Sequence, residues 1–146
     1  MKNISDMSYD ELVSRIREKF DIDFEEIAVL DTRLLVVKIL NLEDYIDKLA
    51  DQVKEGELLE LPFWAKIWPT SILLSYILHK LPMEKGDKLL EIGAGMGICG
   101  LVAAKLGFHV TLSDIDEDSL MISQINILKK QSVSKCKGKK SGFYKG

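Results

Sequence analysis

The stretch Leu89-Leu90-Glu91-Ile92-Gly93-Ala94-Gly95-Met96-Gly97-Ile98-Cys99-Gly100 leaves the chain little choice of local fold. Apolar residues run into an acid, glycines follow at alternate positions, and a helix-like segment begins. This is the pattern of a strand that turns sharply into a helix. Glycine accepts positive φ and lets another group approach backbone that a Cβ would shield. The helix N-terminus then adds N–H groups without intrahelical partners. Such a turn is either a ligand cradle or merely a tight bend, and its flanks decide between the two.

The flanks extend the pattern. Gly86-Asp87 turns the chain into a strand at 88–92, and a helix is expected at 98–106 with Gly107 as its C′ residue. Residues 108–112 alternate towards a second strand that finishes at Ser113-Asp114. Asp116 can cap a further helix with Met121, Ile125 and Leu128 on one face. Right-handed crossover makes the two strands parallel and adjacent. Asp114 falls 21 residues after Gly93, at the strand end that lies beside the glycine turn in a doubly wound sheet. A carboxylate there can accept from both hydroxyls of a ribose, which suits an adenosine ligand. The spacing narrows the choice. A dinucleotide fingerprint starting at Gly93 needs glycine at 98, where Ile98 stands, so NAD-dependent oxidoreduction falls behind the other readings. No Gly-Lys-Ser/Thr follows, which excludes a P-loop.

Earlier in the chain the signals are structural. Ser8 and Glu11 have capping-box spacing ahead of Leu12, Ile16 and Phe20, predicting a helix at about 9–20. Residues 24–30 and 34–40 read as hairpin strands around Asp31-Thr32-Arg33. Asn41 can cap a second helix whose Leu42, Tyr45, Ile46, Leu49 and Val53 form one stripe. Gly56 breaks that pattern, Pro69 suits a first helical turn, and 72–80 is strongly apolar. Trp64 and Trp68 precede that helix, either as two core aromatics or as an indole against a bound cofactor.

At this point the sequence resembles a known family. Glu91-Ile92-Gly93-Ala94-Gly95-Met96-Gly97 is similar to motif I of the class I, seven-β-strand S-adenosylmethionine-dependent methyltransferases, and Asp114 matches their ribose-binding acid. Pro62-Phe63-Trp64-Ala65-Lys66-Ile67-Trp68-Pro69 resembles the Trp-Ala-x-x-Trp-Pro segment of the small protein-lysine and nicotinamide-N-methyltransferase-like branch. The resemblance covers about residues 60–128. It implies a partial Rossmann-like α/β fold, a parallel sheet preceded by a helix/hairpin/helix extension. It also implies that backbone at Gly93, Ala94 and Gly95 holds the methionine moiety of S-adenosylmethionine, with Gly97 in the same cofactor-binding turn. Asp114 would take the ribose, Glu91 would act through water or the methionine ammonium, and Trp68 would approach the cofactor. The methyl acceptor would be a protein lysine or another small amine.

The resemblance stops near Leu128, before the strands that would wall the adenine and carry the catalytic motif. Seven of the 20 basic residues and none of the 23 acidic ones lie at 129–146, so the preceding body carries an excess of ten acids and would repel nucleic acid. The resemblance implies an extension at 1–60 followed by the first half of a cofactor-binding domain at 61–128, and composition sets apart a basic tail at 129–146 expected to be disordered. These features predict an N-terminal fragment without a catalytic residue or a metal site, inactive alone. The alternative is a catalytically dead module that binds cofactor or partner. An unpaired sheet edge predicts self-association. No run approaches the roughly 20 apolar residues of a membrane span. With no secretory leader and only Cys99 and Cys136, a cytosolic location is expected, with Cys99 a buried small hydrophobe.

Overall fold

Ser8 accepts the Glu11 backbone N–H at 3.2 Å while the Glu11 carboxylate accepts the Ser8 N–H at 2.7 Å. This capping box starts α1 (Tyr9–Arg17) in the computed structural model, which describes residues 3–129. The helix ends three residues earlier than its apolar spacing suggests, because Glu18 and Lys19 close with tighter bonds, such as Lys19 N–H to the Ile16 carbonyl at 3.1 Å. Leu12, Ile16 and Phe20 are all buried.

The hairpin forms, with a shifted turn. β1 (Ile22–Val29) pairs antiparallel with β2 (Thr32–Ile39), in register from Ile22↔Ile39 to Val29↔Thr32. The connection is therefore Leu30-Asp31 rather than Asp31-Thr32-Arg33. Two-residue hairpin loops demand positive φ, and Leu30 supplies it at +55° without glycine's freedom. Thr32 is drawn into the strand by its side chain, which is buried and lies 3.1 Å from His79 Nε2.

Asn41 precedes α2 (Leu42–Gln52) but does not cap it with its side chain. Its Oδ1 accepts the Asp21 N–H at 2.8 Å instead, tying the two open ends of the hairpin together. The expected stripe of α2 is only half-buried along its length. Pro69 opens α3 (Pro69–Leu78) as anticipated.

The next four elements fall close to where the sequence puts them. β3 (Lys88–Ile92) runs parallel to β4 (His109–Ser113), with Lys88 opposite His109 and Ile92 opposite Ser113. α4 (Ile98–Leu106) ends at Gly107, whose φ of +105° lets its N–H reach back to the Ala103 and Ala104 carbonyls. α5 (Glu117–Leu128) is capped by the Asp116 side chain, which accepts the Ser119 N–H at 2.9 Å. Its inner face differs from expectation. Met121 and Ile125 are buried, Leu128 is 42% exposed, and Ser119, Ser123 and Asn126 are buried polar residues.

Among the described residues, two apolar clusters form the core. One gathers Leu78, Cys99, Ala103, Phe108, Val110 and Leu112 between α3, α4 and β4. The other joins the extension to the rest. Leu12, Ile16, Phe20 and Val37 pack in the same cluster as Met96, Ile98, Ile122 and Ile125. The hairpin lies against helices and does not join the β3–β4 sheet. Leu90 and Ile92 on β3 are 58% and 64% exposed. The basic tail expected to be disordered lies, from residue 130 on, outside the described residues. No described helix is long and apolar enough to cross a membrane.

α4 sits very close to the sheet. A Cβ at Gly100 would run into Leu112 Cδ2 and stand 2.8 Å from Glu91 Oε2. Gly100→Ala should therefore destabilise the fold by about 1–3 kcal/mol, the usual cost of overpacking, as read from the midpoint of urea unfolding at unchanged slope.

Candidate functional site

The glycines of the turn divide their work. Gly93, at φ +66°, has no atom within 4 Å of where a Cβ would stand, so its backbone opens onto empty space. Gly97, at φ +76°, is needed for packing, since a Cβ there would lie 2.9 Å from Leu112 Cδ1 and 3.1 Å from Ser123 Oγ. Gly95 (φ +55°) passes beneath Trp64, whose Cα would lie 3.7 Å from an added Cβ. The turn closes on itself through Gly97 N–H to the Ala94 carbonyl at 2.8 Å. Ala94 N–H donates to the Ser113 carbonyl at 3.0 Å, joining the turn to the end of β4.

Two carboxylates brace this turn. Asp114 Oδ2 accepts the Gly95 N–H at 2.8 Å and Oδ1 accepts the Asp116 N–H at 3.0 Å. A carboxylate has about four lone-pair sites, so Asp114 keeps acceptor capacity after both bonds. Glu91 Oε2 accepts the Gly100 N–H at 2.7 Å, at the third residue of α4. A negative side chain is favoured at a helix N-terminus, but burial dominates here. Desolvation pushes the Glu91 carboxyl up to about 7, opposed by the Gly100 bond and reinforced by the charge of Asp114.

Behind the turn stands α5. Ser119 Oγ and Ser123 Oγ donate to the Gly95 carbonyl at 2.9 and 2.6 Å. Asn126 Nδ2 donates to the Met96 carbonyl at 3.0 Å. Positions 119, 123 and 126 share one helical face. In front lies a cavity of about 770 Å³. Trp64, Trp68 and Tyr45 lie in its aromatic lining. Trp64 is half-buried and edge-on to Phe20 at 5.6 Å. Trp68 is 44% exposed and its indole N–H donates to the Phe63 carbonyl at 2.7 Å. Among the described residues, Glu60, Asp114 and Asp116 line the cavity beside one cation, Lys66, joined above about pH 7 by the charge of Glu91, so its field favours a positively charged group. Burial raises the Asp116 carboxyl, against bonds from the Ser119 N–H and the Trp64 side chain.

Of the residues singled out from the sequence, Glu91, Gly93, Ala94, Gly95, Asp114 and Trp68 all line this cavity. Gly97 stands behind the turn and faces α5. Cys99 is buried and its thiol is pushed up to about 12 by that burial, as suits an inert small side chain. Tyr45 and Asp116, expected only as a helix-stripe residue and a helix cap, also line the cavity, and the Ser119-Ser123-Asn126 ridge had no role assigned from the sequence. The ridge had a signal, uncharged polar residues four and three apart on one face of the helix.

The sequence profile described as lysine methyltransferase matches residues 48–139, more than half of the chain. This chain belongs to that lysine methyltransferase family. Among curated relatives, the ribosomal protein L11 methyltransferase of Dictyoglomus thermophilum is 27% identical over 83% of this chain and 48% of its own length. The histone-arginine methyltransferase METTL23 of Rattus norvegicus is 36% identical over 45% of this chain and 30% of its own length. The EEF1A lysine methyltransferase 3 of Xenopus tropicalis is 38% identical over 35% of this chain and 23% of its own. The chain thus spans less than half the length of these relatives. Methyltransferases of this kind use S-adenosylmethionine. The residues present suit that group, because Gly93 leaves open a space that a Cβ would fill and the acid-rich lining complements a cation.

The buried Glu91 carboxyl makes this methyltransferase fold sensitive to pH. Between pH 4.5, where a glutamate in the unfolded chain loses its proton, and about 7, where folded Glu91 does, the folded state binds more protons. Stability therefore falls as pH rises through that window and stays reduced above it. Glu91→Gln keeps an oxygen for the Gly100 N–H and does not ionise. It should match the parent near pH 4.5 and exceed it by roughly 2–3 kcal/mol at pH 8, measured by urea unfolding at both values.

Proposed function

We propose that the chain binds S-adenosylmethionine in the cavity before the glycine turn, as the cofactor-binding half of a methyltransferase that acts on a protein amine. The observation that carries this reading is the Asp114 carboxylate, held 2.8 Å from the Gly95 N–H in an acid-lined cavity with acceptor capacity to spare. When bound, the cofactor supplies an electrophilic methyl group on a sulfonium. The remaining lone pairs of Asp114 would take the ribose hydroxyls. Backbone at Gly93, Ala94 and Gly95 would hold the methionine moiety, Glu91 its ammonium, and Trp68 would cover it. Gly97 supports the turn from behind.

A dinucleotide fits less well. The pyrophosphate of such a cofactor takes the N–H groups at the start of the helix. Here the Glu91 carboxylate already occupies the Gly100 N–H, and three further acids face the same space. Support for a lysine acceptor comes from the family description and from relatives named as lysine methyltransferases. Relatives named for histone arginine and ribosomal protein L11 share a protein acceptor with them.

We further propose that these 146 residues hold the cofactor without turning it over, as a binding module. Methyl transfer needs the acceptor nitrogen aligned with the methyl group, and among the described residues neither His79 nor His109 lines the cavity to take a proton from it.

Titration calorimetry should show S-adenosylhomocysteine binding and no binding of NAD. Asp114→Ala should weaken S-adenosylhomocysteine about 10- to 100-fold, the worth of hydrogen bonds to a charged acceptor. Unchanged affinity in that variant would remove Asp114 from the ribose site.

The exposed Leu90 and Ile92 and the single described neighbour of β3 support self-association through that strand's other edge. Sedimentation velocity should then show a concentration-dependent dimer that Leu90→Lys disperses, and a monomer across the micromolar range would refute it.

A further inference from the structure

We infer that Asn126 is a positioning residue through which the N-terminal hairpin sets the shape of the glycine turn. The inference rests on the cofactor reading above. Asn126 is fully buried, and its two amide ends reach two distant parts of the chain. Oδ1 accepts the Val37 N–H of β2 at 2.8 Å, and Nδ2 donates to the Met96 carbonyl at 3.0 Å. Val37 lies in the hairpin, before the first residue matched by the family profile, whereas Met96 lies inside the turn.

The planarity of the peptide unit explains what this grip does. The Met96 carbonyl and the Gly97 N–H belong to one plane and point in opposite directions. Holding the carbonyl on Asn126 therefore aims the Gly97 N–H at the Ala94 carbonyl, the 2.8 Å bond that closes the turn. The neighbouring peptide is held likewise. With the Gly95 carbonyl on Ser119 and Ser123, the Met96 N–H is turned away from α5. The ridge thus fixes two successive peptide planes from behind, and Asn126 alone of its three members also reaches β2. A side-chain amide is rigid and bonds both groups at once, so a displacement of β2 is passed to the Met96–Gly97 peptide. Glycine at 95 and 97 makes the outside grip necessary, because glycine has the widest conformational freedom of any residue.

A turn that samples other shapes binds its ligand more weakly in proportion to the time it spends in the wrong one. The loss falls on the ligand portion the turn touches. Asn126→Asp keeps the shape and the acceptor for Val37 but cannot donate to Met96 as a carboxylate. It should weaken S-adenosylhomocysteine about tenfold, the equivalent of one buried hydrogen bond. Adenosine lacks the methionine moiety and should bind unchanged in a nuclear magnetic resonance titration. Amide exchange at Gly97 should rise in the same variant without ligand. Ser123→Ala removes one of two donors on the Gly95 carbonyl at little cost in volume. It should show the same selectivity at smaller size, and it keeps the test open if Asn126→Asp does not fold. Equal weakening of both ligands, or no weakening with unchanged Gly97 exchange, overturns the positioning role. Failure of the parent to bind S-adenosylhomocysteine overturns the cofactor reading instead, while the exchange measurement still reports on Asn126.

Discussion

The close seat of α4 on the sheet at Gly100 is the constraint from which the site follows. With no side chain at that position, Leu112 of β4 and Glu91 of β3 both reach the helix backbone. Glu91 can then cap the first turn of α4 directly from the strand that precedes it, through the Gly100 N–H. A larger residue would lift the helix and break that bond, leaving a buried carboxylate without its donor. The same closeness brings Gly97 against Leu112 and Ser123, so the turn between strand and helix has no slack. Its remaining freedom is on the open side at Gly93, where a ligand can meet backbone.

This arrangement also settles which charge the site prefers. In many α/β folds the helix N-terminus after a glycine turn attracts an anion. Here the protein places its own carboxyl at that point, the Glu91 side chain, so desolvated that it ionises only at about pH 7. Asp114 and Asp116 add negative charge on the β4 side of the same cavity. The glycine turn and the acids thus act on different parts of a ligand. One exposes backbone donors and acceptors, and the others set a field that welcomes a cation and opposes a phosphate.

Much of this was legible in the sequence where the determinants are local. The pass from β3 to α5 was placed almost to the residue, because glycines at 93, 97 and 107 and the cap at Asp116 act on their own neighbours. Asp114 could be placed beside the turn because crossover handedness leaves one arrangement. What escaped were side chains whose partners are remote. Asn41 reads as a helix cap but serves Asp21 across the hairpin. The hairpin turn lies at Leu30-Asp31, where no glycine or asparagine marks positive φ, because Thr32 is engaged by His79 just past the end of α3. On α5 the apolar residues suggested a single inner face. The helix is buried more widely, and its serines and Asn126 find carbonyls in the glycine turn that no local pattern specifies.

The N-terminal extension belongs to the site, because the two share their supports. Phe20 lies against Trp64 on one side and Tyr45 on another, at 5.6 and 4.6 Å between ring centres. Trp64 in turn passes over Gly95, and its side chain bonds Asp116. Lys19 holds Asp118 at 2.9 Å, next to the cap of α5. The Trp64 side of the cavity is therefore carried by Phe20, just after α1, and by Tyr45 of α2, while the turn itself is held from behind by α5. Met96 and Ile98 bury their side chains in the same core as Leu12, Ile16 and Val37. Loosening the extension would release the Trp64 side and the turn together, because both lean on one set of apolar contacts.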